Sequence, residues 1–174
     1  MAKLKNILNA KFVLLILCCS CSQEPPPHGH WDHFPVMVQI SSSLDLEALE
    51  IYNVFFGVEV FTPVDEDQNF VDCTIHLSDD LGYNILGSTN VWFNESGVIH
   101  TCEISILRRL EGSTNTYSHV LAHELGHALG IQHAPNDDVD SIMYHNVNRN
   151  PDITDQMEGY LDEEFWGLYD NSFN

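Results

Sequence analysis

The sequence predicts a mixed α/β layer fold of the α+β kind. Three observations carry that reading. Five short segments alternate apolar and polar residues, or run apolar between turn signals. Longer segments repeat apolar residues at helical spacing. Their order is strand, helix, several strands, helix, loop, helix, with no internal repeat. A chain of 174 residues with 44% hydrophobic content suits one domain with one core.

Each element has a local reason. "PVMVQI" (35–40) reads as the first strand. "SSLDLEALEIYNVFF" (42–56) reads as a helix: Ser42 and Asp45 make a capping-box start, Leu46, Leu49, Asn53 and Phe56 recur on one face, and Gly57 stops it. "VEVFTPV" (58–64) is a second strand, followed by the acidic turn "DEDQN". "FVDCTIHL" (70–77) is a third strand, and "SDDLGYNILGS" is a loop. "TNVWFN" (89–94) is a fourth and "VIHTCEISIL" (98–107) a fifth, with "ESG" turning between them. "EGSTNT" is rich in helix-capping residues and opens a helix over 116–129, which Gly130 ends. A long loop runs to Pro151, and Met157, Leu161, Phe165 and Leu168 mark one face of a last helix.

The N-terminus reads as an address. "MAKLKNILNAKFVLLILCCSC" (1–21) has a basic start, then an apolar run far too short to span a bilayer, then cysteines. It resembles a bacterial lipoprotein signal. Cys21, preceded by the small Ser20, is the favoured lipidation site; Cys19 and an ordinary cleaved signal are the alternatives. Residues 22–34, "SQEPPPHGHWDHF" with its last polar partners, read as a stiff Pro/His-rich tether outside the core. The alternative is that one of His28, His30, Asp32 or His33 reaches back to cap a metal. The domain proper is expected over 35–174.

Charge narrows the partners. All lysines lie in the first eleven residues, which leaves Arg108, Arg109 and Arg149 against all 26 acids. Such a surface repels phosphate backbones, so nucleic acid is excluded as a partner. Cys73 and Cys102 remain outside the signal. In an exported chain a lone pair forms a disulfide if the two strands are neighbours; otherwise they are buried thiols.

The chemistry concentrates in "HVLAHELGHALGIQH" (119–133). His123 and His127 are four apart on a helix, so they share one face and both rings can hold one metal. Glu124 is turned about 100° from them, placed to touch a water rather than the metal. On a continuing helix His133 would point away, but Gly130 ends the helix and lets the chain swing back. Three imidazoles with an open fourth position describe a catalytic zinc site. Zinc lowers the pKa of its bound water, and Glu124 serves as general base for peptide hydrolysis.

The extended pattern HExxHxxGxxH, followed by "SIMY" with Met143, resembles the metzincin clan of zinc endopeptidases. The element order and Tyr144 directly after the methionine resemble the matrixins within it; where other metzincins carry a further tyrosine, this chain has His145. The resemblance implies a five-stranded mixed twisted sheet with two long helices, an active-site helix followed by a Met-turn, and a C-terminal helix. It implies one catalytic Zn2+, a peptide or protein substrate and a monomer. It makes "GSTNVWFN" the edge strand that binds substrate, with Asn90, Val91 and Trp92 as wall candidates. Tyr144 and His145 would wall the pocket for the residue after the cut. His119 reads as a helix-surface or supporting residue. The animal matrixins' structural zinc and calcium loop and their cysteine-switch propeptide have no counterpart here. His76 and His100 read as core or edge histidines. Asp137, Asp138 and Asp140 read as a solvated loop in preference to a Ca2+ site. The expected protein is an exported zinc endopeptidase, lipid-anchored to a bacterial membrane and facing the periplasm or the surface. Its alternative is a surface binding protein that keeps the zinc site without turnover.

Overall fold

The computed structural model describes residues 29–134, except 66 and 69, and residues 141–145. The expected lipidation site at Cys21, the aspartates 137, 138 and 140, and the last helix lie outside the described residues. No helix among the described residues is long and apolar enough to cross a membrane.

The elements are β1 (Val36–Gln39), α1 (Ser43–Phe56), β2 (Phe61–Val64), β3 (Cys73–Ser78), β4 (Gly87–Phe93), β5 (Ile99–Leu107), a 3-10 turn (Arg108–Gly112) and α2 (Thr114–Ala128). The five strands form one sheet in the order β2-β1-β3-β5-β4. Four strands are parallel, and β4 pairs antiparallel with β5 at one edge. The sheet is therefore mixed, as expected. Val36, Val38, Ile75, Ile104 and Ile106 of the sheet are buried in one core with Ala48, Leu49 and Tyr52 of α1 and Leu121, Ala122 and Leu125 of α2. Each such aliphatic side chain contributes about 1.5–3 kcal/mol by leaving water.

α1 begins as its sequence dictates. Ser42 accepts from the Leu44 amide at 3.0 Å, and Asp45 accepts from the Ser42 amide at 2.9 Å. Gly57, in the left-handed conformation at φ 66°, closes the helix. The buried face differs from the expected one. Asp45, Ala48, Leu49 and Tyr52 are buried, and Leu46 is exposed. Asn53 is not a face residue but a clamp on the next strand. Its Oδ1 accepts from the amides of Val60 and Phe61, and its Nδ2 donates to the Phe61 carbonyl. β2 starts at Phe61, at this clamp, rather than at Val58.

The two helices are tied by polar bonds. Tyr117 donates to Asp45 Oδ1 at 2.6 Å, and Tyr52 donates to the Ala122 carbonyl at 2.7 Å. Cys73 and Cys102 are register partners on β3 and β5, with Cα atoms 4.5 Å apart, and they are joined in a disulfide.

The boundary expected at Pro35 is corrected. His30 pairs with the turn before β5: its amide donates to the Gly97 carbonyl, and its carbonyl accepts from the Ile99 amide. Trp31 is 1% exposed and Phe34 is also buried. Proline and histidine content hid two aromatic side chains whose burial outweighs a solvated linker. The folded unit thus includes at least residues 30–34.

Candidate functional site

The site is built on α2. The helix runs from Thr114 to Ala128, two residues longer at its start than expected and one shorter at its end. His123 and His127 lie one turn apart, with ring centroids 4.8 Å from each other. Gly130 has φ 87°, which an L side chain rarely adopts. A Cβ there would also collide with the Gly29 carbonyl oxygen. The turn it permits is fixed by the Ile131 amide, which donates to the Gly126 carbonyl at 3.0 Å. His133 then returns to the other two. Its ring centroid lies 5.2 Å from that of His123 and 4.7 Å from that of His127.

The three imidazoles place their ligand atoms within 4.8 Å of one another, the metal-type group found among the described residues. Their backing fits a metal. His123 Nδ1 donates to the Ile142 carbonyl at 2.7 Å, and His127 Nδ1 donates to the Ile131 carbonyl at 2.8 Å. A carbonyl only accepts, so each Nδ1 carries the proton and each Nε2 keeps its lone pair. The Nε2 atoms of His127 and His133 come within 3.3 Å. Burial pushes the His123 pKa down to about 3, and burial likewise lowers His127 well below the usual histidine range. Both rings are therefore neutral, the form that binds a divalent ion.

Residues 141–145 close the floor and one wall. The Tyr144 amide donates to the Ser141 carbonyl at 2.9 Å, which makes a tight turn, and the Met143 amide meets the Ser141 hydroxyl at 3.2 Å. Met143 is fully buried, with its sulfur against Gly126 of α2. The Met143 carbonyl accepts from the Ala134 amide at 3.0 Å, so this turn is pinned beside the third histidine.

A cleft opens beside the histidines. Leu86, Gly87, Val120, His123, Glu124, Tyr144 and His145 line it. Glu124 is 1% exposed, and its Oε2 accepts from the Thr89 hydroxyl at 2.7 Å. Tyr52 lies close enough to Glu124 that burial, and then the carboxylate's charge, hold its phenol protonated.

The expected residues fall into three groups. His123, His127, His133, Glu124, Met143, Tyr144 and His145 come together. Asn90, Val91 and Trp92 lie further along β4, and the β4 side of this cleft is formed by Leu86 and Gly87 instead. His33 and Asp32 do not reach the histidines: His33 bonds Asp32 at 2.8 Å and Asp72 at 3.1 Å. His119 is half-buried one turn before His123, and burial lowers its pKa. His76 Nε2 lies 3.6 Å from Glu103, a diagonal neighbour on β5, on an exposed part of the sheet. Sequence reasoning missed Gly87, Thr89 and Trp31. Strand alternation from Gly87 puts Gly87 and Thr89 on one face, the only local signal that could have paired them.

The matrixin family model matches residues 57–159, more than half of the chain. No curated protein matches it.

Proposed function

The chain belongs to the matrixin family, a zinc-metallopeptidase-like assignment, and from that premise we propose that it is an exported endopeptidase with Glu124 as its general base. One observation carries the reading. Three imidazoles converge beside a cleft that the Glu124 carboxylate also lines. His123, His127 and His133 would hold the ion, and Met143 would floor them. When bound, zinc supplies a Lewis acid for the scissile carbonyl and the attacking water.

The chain's own groups account for the rest. The Nδ1 bonds to Ile131 and Ile142 fix the orientation of two rings. The Glu124 carboxylate takes the water's proton and returns it to the leaving amine nitrogen, so no covalent acyl intermediate forms. Tyr144 and His145 wall the cleft against which the residue after the cut would lie. The outer edge of β4, the last strand of the described sheet, would bind an extended peptide by strand addition. The sequence of residues 1–21 supports export with a lipid anchor at Cys21, facing the periplasm or cell surface of a bacterium.

The test is cleavage of a mixed peptide library by the full chain with one equivalent of zinc, beside Glu124→Ala and a chelated sample. Cuts that vanish in both controls are expected. Undiminished cutting by Glu124→Ala would sink the mechanism, and zinc binding without any cuts would favour a binding protein.

A further inference from the structure

Strand β4 holds Glu124 from two sides. The Thr89 hydroxyl lies 2.7 Å from Glu124 Oε2 and 3.0 Å from the Glu124 carbonyl oxygen. Both of those atoms accept, and the hydroxyl has one proton. The carboxylate oxygen is the nearer of the two acceptors. Thr89 and Glu124 are each 1% exposed, so bulk water does not compete for the bond. Gly87 stands two residues earlier, on the same face of the strand. A Cβ on Gly87 would lie 2.6 Å from Glu124 Oε1, 2.8 Å from its Cγ and 2.8 Å from Val120 Cγ1. The glutamate therefore occupies the space that any larger residue at position 87 would need.

This arrangement matters because a glutamate side chain has three rotatable bonds. A base displaced by about 1 Å can lose about 100-fold in rate. Thr89 anchors Oε2, and Oε1 lies toward Gly87. The two strand residues flank the carboxylate on an element held by its antiparallel ladder with β5.

We propose that Thr89 and Gly87 form a socket that positions the Glu124 carboxylate, with Thr89 as the positioning residue. The inference rests on the endopeptidase reading. It goes beyond that reading in assigning a role to two residues on a different element from the zinc-binding helix.

Two substitutions separate this role from packing. Thr89→Val keeps the methyl group and removes the hydroxyl; Thr89→Ser keeps the hydroxyl and removes the methyl. The full chain would be assayed for kcat and KM, with zinc affinity titrated on the metal-free proteins and unfolding followed by heat. In Thr89→Val, kcat should fall about 10- to 100-fold, with KM within about twofold and zinc affinity unchanged. Thr89→Ser should recover most of the rate. Gly87→Ala, which crowds the base from the other side and leaves the hydroxyl in place, should also lower kcat while zinc still binds. The reverse order, with Val active and Ser impaired, would show that Thr89 only packs and would overturn the proposal. So would equal kcat in all the variants. A wild-type chain that binds zinc and cleaves nothing would instead overturn the endopeptidase reading and the socket with it.

Discussion

The indole Nε1 of Trp31 donates to the Ala128 carbonyl at 2.8 Å, joining the segment before β1 to the end of the helix that carries the histidines. The last carbonyls of a helix have no partner within it. Here one of them is satisfied by a residue 97 positions earlier. Trp31→Phe should therefore cost about 1–3 kcal/mol, and a chain beginning at Pro35 should lose more. Thermal unfolding checks both. Equal melting temperatures would show that the strap adds nothing to the fold.

Gly130 controls how His133 returns. Gly130→Ala would need φ 87° and would press a methyl group on the Gly29 carbonyl. Relief of that clash moves the Ile131 carbonyl, which receives the His127 Nδ1 proton. Loss of such support typically weakens metal binding about 10- to 100-fold. Zinc titration against a competing chelator would measure it, and unchanged affinity would refute the role of the turn.

Metal removal should destabilise as well as inactivate. An ion that binds only the folded chain stabilises it by mass action, by about 2.7 kcal/mol at a hundredfold excess over Kd. Chelation should lower the melting temperature, and added zinc should restore it. His127→Ala should abolish that response, whereas Glu124→Ala should keep it. A melting temperature indifferent to zinc in the wild type would count against the three-histidine site.

The disulfide between Cys73 and Cys102 closes a loop across a sequence separation of 29. Chain-entropy arithmetic gives about 3–4 kcal/mol for a loop of that size. Replacing both cysteines by alanine should lower stability by that order in denaturant unfolding. No change in the midpoint would mean that the bridge is dispensable.

A pH dependence follows from His33. Burial alone would lower its pKa, but hydrogen bonds to Asp32 and Asp72 outweigh it and raise the value above 6.5. A raised folded pKa gives stability that is fully present below the unfolded value and lost as pH rises through the folded one. The Asp32 pKa is lowered, first by its bond to His33 and with a small contribution from His100, so the pair persists in mild acid. The melting-temperature difference between wild type and His33→Gln should thus be largest between pH 3.8 and 6.5 and shrink above it. A difference that grows with alkalinity would contradict the assignment.

Much of the metal cluster is legible in the sequence because it depends on local geometry. Spacing of four residues puts His123 and His127 on one face of any α-helix. A glycine after the helix end permits the turn to His133. The cap of α1 is equally local: Ser42, Asp45 and Gly57 act within one turn of their own positions. The buried face of α1 is not local. Leu46 and Asn53 fit a helical stripe as well as Ala48 and Tyr52 do, and packing against α2 and the sheet selects the second set.

Local pattern alone was enough to read the three-histidine spacing, the candidate base and the alternation of strands and helices. These follow from the fixed periods of helix and strand and from the chemistry of histidine and glutamate. What surrounds them came from long-range packing. Thr89 and Glu124 are separated by 35 positions, and Trp31 and Ala128 by 97. Contacts over such distances depend on which strand lies beside which helix, and at what height. Burial of the whole core sets that arrangement, and no local period encodes it.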